Sequence, residues 1–201
     1  MRIVDTGKIL IAGMAALLLL ATCTTKEVPE GSEADAAYNL GVKYYNSSEG
    51  NIERAVEWFR RAAELGSAKG QYRLGAAYET GEGVKKDYAE ALKWYGLAAR
   101  QKDRDAQCGL GGLYANGYGV ERDDAEAAKW YKLAAERDVA RAQYELGLLY
   151  LEGHGVTQDY IEAYFWLALG AKAFDSAMEK RDEAATHLTY EQLQAVRLRL
   201  K

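Results

Sequence analysis

A few residues of this chain have types and spacings that could do chemistry. Gly117-Tyr118-Gly119 followed by a helix-like run, Asp123 to Tyr131, has the form of a phosphate cradle. Two glycines one residue apart let backbone N–H groups close on an anion at a helix N-terminus. Cys108 would be a nucleophile if a cationic neighbour held its thiolate. His154 and His187 are the only histidines, and Asp123-Asp124 has the look of a general acid/base pair. Acidic residues exceed basic ones by 30 to 26, so charge offers no basis for binding nucleic acid.

The elements that must position these groups change their meaning. Trp58, Trp94, Trp130 and Trp166 lie 36 residues apart, as do Gly75, Gly111 and Gly147, and Tyr78, Tyr114 and Tyr150. The pairs Gly81/Gly83, Gly117/Gly119 and Gly153/Gly155 repeat in step, each followed by a valine. A phosphate site is needed once, and this element occurs three times, so it reads as punctuation within a stack of repeated units. The sole proline, Pro29, leaves the helices uninterrupted.

Each unit reads as two helices. Gly41, Gly75, Gly111 and Gly147 interrupt the first helix where a neighbour must come too close for a β-carbon. The Gly-x-Gly-Val loop ends that helix by supplying positive φ. Asp87, Asp123 and Asp159 then stand as N-caps, with Glu90, Glu126 and Glu162 three residues on, the spacing of a capping box. In the second helix Ala91, Trp94, Tyr95 and Ala98 share a face, the tryptophan filling the gap between repeats. Lys102 and Asp138 replace the Gly66 that ends the first unit, which predicts frayed or shifted helix ends there.

With the repeat fixed, the reactive candidates become ordinary. Asp123 is a cap and Asp124 a first-turn residue. His154 fills a variable loop slot, His187 precedes the last helix, and neither has the i, i+4 partner of a helical metal site. Cys108 takes the slot of Tyr72 and Tyr144, which suits a small buried hydrophobe. No catalytic residue, metal or cofactor is expected.

The residues from about 35 to 171 resemble the Sel-like repeat family, relatives of the tetratricopeptide repeats, with the pattern nearly complete at Gln71–Ala99 and Gln143–Ala171. The resemblance implies an all-α solenoid of about four stacked helix pairs. It also implies that the first helices line a concave face binding a protein or peptide through Tyr38, Tyr45, Tyr72, Glu79, Tyr144, Leu148 and Leu151. Val42, Ala76, Cys108, Gly112 and Ala115 fall on the same face. Residues 172–201 lose the period and read as C-terminal capping helices, Thr189 and Gln192 forming a second capping box.

The N-terminus begins with Arg2 and Lys8 and continues in an apolar run from Ile9 to Ala21. That run suits a signal peptide and is short for a membrane span. Leu20-Ala21-Thr22-Cys23 resembles a bacterial lipobox, although Thr22 stands where Gly, Ala or Ser is preferred. The resemblance implies a signal peptide over 1–22, lipid attachment at Cys23 and a polar tether over 23–34. It places the chain at the outer membrane of the cell envelope, facing the periplasm. The expected function is a protein-interaction scaffold. The alternative is an envelope enzyme or ligand binder acting on peptidoglycan or a β-lactam. Cysteine-rich relatives linked to β-lactams carry a disulfide in every repeat, and this sequence lacks those cysteines. A third reading is structural, with solenoids stacking end to end.

Overall fold

The computed structural model describes residues 30–47 and 51–201. The signal segment, Cys23 and most of the tether lie outside the described residues. Within them the chain forms ten helices and no strand: α1 Glu30–Tyr45, α2 Ile52–Glu64, α3 Ala68–Thr80, α4 Tyr88–Arg100, α5 Arg104–Asn116, α6 Asp124–Ala135, α7 Ala140–Glu152, α8 Tyr160–Gly170, α9 Asp175–Ala185 and α10 Tyr190–Arg199. The first eight make four consecutive pairs. Helix α1 starts five residues ahead of the expected repeat boundary at 35, and Ala34 is already buried.

The expected close approach inside the first helices is real. A β-carbon at Gly41 would sit 2.5 Å from the Phe59 ring, and one at Gly75 or Gly111 would sit 2.6 Å from Tyr95 or Tyr131. At Gly147 the neighbour is Leu167, also at 2.6 Å. The wedge is therefore the residue after each tryptophan, not the tryptophan itself. Trp94 and Trp166 are buried, whereas Trp58 and Trp130 are only half-buried. Burying such a side chain stabilises by about 1.5–3 kcal/mol, more than the ~1 kcal/mol that a helical glycine costs.

The caps form, but the boxes do not. Asp87 Oδ1 accepts from the N–H groups of Ala89 (2.9 Å) and Glu90 (3.1 Å), Asp123 from Glu126 (2.8 Å), and Asp159 from Ile161 (2.8 Å) and Glu162 (3.1 Å). The reciprocal bond from glutamate to cap is replaced. The backbone N–H of Asp87, Asp123 and Asp159 donates instead to the carbonyls of Tyr78, Tyr114 and Tyr150. That frees Glu90 to accept from Trp94 Nε1 at 2.8 Å and Glu126 to pair with Lys129 at 2.7 Å. Thr189 and Gln192 do complete a box at the start of α10.

The helix ends at Lys102 and Asp138 are not frayed, and only the one before Asp138 shifts, by a single residue, α6 closing at Ala135. Both residues take the left-handed conformation of Gly66, at φ +64° and +61° against +89°. The next N–H closes each turn onto the helix: Ser67 to Ala62 O, Asp103 to Ala98 O and Val139 to Ala134 O, at 2.9–3.2 Å. The hydrogen bonds hold a conformation that a side chain disfavours by about 1–2 kcal/mol.

Packing is one-sided. The odd-numbered helices touch in series, α1 to α3, α3 to α5, α5 to α7 and α7 to α9, while α2, α4, α6 and α8 are not joined comparably. The odd helices thus line the tighter, inner side of the stack, and the even helices form its outer side. Helix α9 takes the place of a fifth first helix. Helix α10 turns back onto α8, where Arg199 pairs with Glu162 and His187 stacks on Tyr160 at 4.1 Å. Ala177, Ala184 and Val196 are buried there with Leu151 and Leu167, closing the apolar end of the fourth pair.

Candidate functional site

The inner face is the candidate site because the aromatic and charged residues of the first helices converge on it. Tyr45 ends α1 and is 39% exposed, with the Arg73 guanidinium 5.9 Å from its ring centroid. Tyr38 is half-buried, its ring 5.9 Å from Phe59 and its face near the Lys69 ammonium at 5.8 Å. On α3, Tyr72 stacks on Tyr95 at 5.9 Å, and Glu79 accepts a 2.6 Å hydrogen bond from the Tyr95 hydroxyl. On α7, Tyr144 lies 5.8 Å from Phe174 and Leu148 is half-buried. These residues keep part of their surface free while their neighbours fix their rotamers.

Leu151 does not belong with them. At 5% exposure it packs into one core with Ala163, Tyr164 and Leu167 of α8 and Ala177 and Ala184 of α9, the helix that follows α7 on the inner side. Cys108 is likewise buried, at 6% exposure. Gly112 is buried too, while Val42, Ala76 and Ala115 are half-buried between the larger side chains.

The floor of the face is polar. Tyr95 is wedged between pairs: β-carbons at Gly75 and Gly109 would meet its ring at 2.6 and 2.8 Å. Burial, with the Glu79 carboxylate beside it, pushes its hydroxyl upward, so it stays a donor at neutral pH. Burial likewise raises Glu145, an effect that Arg141 partly offsets.

The other candidates for chemistry are each engaged by their neighbours. Burial pushes the Cys108 thiol up to about 11, so it is a thiol and not a thiolate at neutral pH. His154 Nδ1 lies 3.1 Å from Glu152 in a loop, and His187 is stacked on Tyr160. Asp124 forms two 2.9 Å bonds to Arg122, which lowers its pKa, and Asp123 is occupied as a cap. Among the described residues no three His, Cys, Asp or Glu side chains are grouped to hold a metal.

Two sets of residues with clear roles escaped the sequence reading. Gln71, Gln107 and Gln143, 36 apart, are buried at 5% exposure each. Gln71 and Gln143 donate at 3.2 Å to the carbonyls of Ala63 and Ala135, closing the end of the preceding second helix. Their period was a visible signal. The second set crosses the turns between pairs. Gln101 donates to Gly66 O at 3.0 Å, Arg137 to Lys102 O, and Arg104 to Arg137 O at 3.0 Å. These bonds link turns a full repeat apart, and changing residue types hid them.

Comparison with known proteins agrees with this geometry. The Sel1 repeat family model matches four times, at residues 34–67, 68–103, 104–139 and 140–173. Among solved structures, a protective antigen present in uropathogenic Escherichia coli strains, displaying an SLR fold, is 42% identical with a TM-score of 0.69. The match covers 74% of this chain and 32% of that one. A Sel1 repeat protein from Oxalobacter formigenes is 34% identical, TM-score 0.67, over 74% of this chain and 60% of its own. A putative Sel1 repeat protein from Klebsiella pneumoniae is 26% identical, TM-score 0.50, over 76% and 78%. This chain thus spans about a third and three fifths of the lengths of the first two. Comparison with curated protein sequences gives no match. Four repeat matches in register with four helix pairs, and the glycine wedges and capped turns that produce them, place the chain in the Sel1 repeat family.

Proposed function

We propose that this protein is a protein-interaction scaffold of the bacterial cell envelope, holding a protein or peptide along the inner face of its solenoid. Sel1 repeat proteins are generally protein-interaction scaffolds. The observation that carries the reading to this face is its partly exposed tyrosines, packed against neighbouring side chains: Tyr38 and Tyr45 on α1, Tyr72 on α3 and Tyr144 on α7. Such rings present large apolar area with little rotamer freedom left to lose on binding. Envelope location rests on the N-terminal sequence, with Cys23 as the lipid anchor and the solenoid on the periplasmic side of the outer membrane. Binding is displacement of water from a preformed surface, without covalent chemistry.

A photo-crosslinking residue at Leu148, on the inner face, is compared with one at Lys129, exposed on α6. With native envelope, a protein captured from Leu148 and not from Lys129 is the expected result. Equal capture from both positions would overturn the assignment to the inner face.

A further inference from the structure

At the turn end of the inner face a recess of about 470 Å³ spans the first three pairs. Five cations line it: Lys69, Arg73, Lys102, Arg104 and Arg137. The chain as a whole carries net charge −4, so this concentration runs against its composition. Among the described residues none of the five lies within 4.0 Å of a carboxylate, so what sets the recess apart is that five such cations share one concavity. Two carboxylates share the recess, Asp103, which caps α5 through the Ala106 N–H at 2.9 Å, and Asp105, exposed in the first turn of α5, so five cations face two carboxylates and the lining stays net positive. Arg104 and Arg137 are spent on turn carbonyls. Lys69, Arg73 and Lys102 remain. The Arg73 guanidinium lies 5.9 Å from the ring centroids of both Tyr45 and Tyr72, and its buried Nε has no hydrogen-bond partner.

We infer that this recess is the specificity site of the inner face and receives the carboxylates of an acidic peptide segment of the partner. The inference rests on the scaffold reading above. Charge complementarity selects the class: three cations without carboxylate partners beside two tyrosine walls, Tyr38 and Tyr72, suit Asp or Glu on an extended chain. A phosphate cradle is not built here. Ser67 and Asp103 cap α3 and α5 by accepting from the N–H groups of Gly70 and Ala106, and the Asp103 carboxylate puts a negative charge where a phosphate would have to sit, leaving recognition to side chains.

The test uses the full-length protein and a short fluorescent polyglutamate peptide, with polyglutamine of equal length as control. Polyglutamate is expected to bind, to weaken with added salt, and to lose about tenfold in affinity or more in Lys69→Glu and in Lys102→Gln. Lys129→Glu, on the outer side, should bind like the parent, and polyglutamine should not bind. Both recess variants must keep the parent's helical circular dichroism, and Lys69, exposed on α3, gives the safer one. Absence of polyglutamate binding, or equal loss in Lys129→Glu, would overturn the inference. So would binding of phosphatidylglycerol vesicles through these same cations in place of polyglutamate. If those results came while Leu148 still captured its partner selectively, only the acidic specificity would fall and the scaffold would stand.

Discussion

The two edges of this solenoid make the same turn in different ways. At one edge, the loops inside each pair place Gly81/Gly83, Gly117/Gly119 and Gly153/Gly155 at φ between +67° and +81°. At the other, the turns between pairs place Gly66, Lys102 and Asp138 in the same region of conformational space. The difference is room. A β-carbon at Gly119 would lie 2.6 Å from the Tyr88 carbonyl group, and one at Gly155 would run into the Asp124–Ala125 backbone. At Gly66 it would meet nothing within 4 Å. Where conformation and space both demand glycine, the sequence keeps it. Where conformation alone does, side chains enter, and the cations of the inner recess gather at that edge.

That contrast can be broken by substitution. Gly119→Ala and Gly155→Ala combine a left-handed alanine with a clash against backbone that cannot swing away. Each should cost about 3 kcal/mol or more in denaturant unfolding. Gly66→Ala shares the conformation without the clash and should cost only about 1 kcal/mol. Equal losses at Gly66 and Gly119 would remove the role assigned to space.

The same contrast explains what was legible in the sequence. The four-pair solenoid, the wedge glycines and the aspartate caps could be read because steric demands repeat every 36 residues with the same residue type. The turns at Lys102 and Asp138 look like loose ends in the sequence because nothing local marks a non-glycine residue as left-handed; the hydrogen bonds that hold it join backbone groups. The glutamates three residues after the caps suggested capping boxes, but the loop brings the carbonyls of Tyr78, Tyr114 and Tyr150 to the cap N–H groups first. On the inner face, resemblance located Tyr38, Tyr45, Tyr72 and Leu148 on the right helices. It could not show that Leu151 is buried in the core that α7 and α8 share with the capping helices. The recess was invisible because its cations come from three pairs and from turns that share no residue type.

A smaller effect sharpens the comparison from the other side. Asp138→Gly should relieve the strained conformation and, after the added freedom of the unfolded chain is subtracted, stabilise the protein by about 0.5–1 kcal/mol. A neutral or destabilising result in denaturant unfolding would mean that the Asp138 side chain contributes an interaction of its own.

Lys102→Gly, measured for stability and for polyglutamate affinity in one preparation, tests most directly whether the turn edge is kept for recognition. The account predicts a rise in stability of about 0.5–1 kcal/mol together with weaker polyglutamate binding. Unchanged binding in a more stable protein would contradict it, because Lys102 would then hold a strained turn without serving the recess.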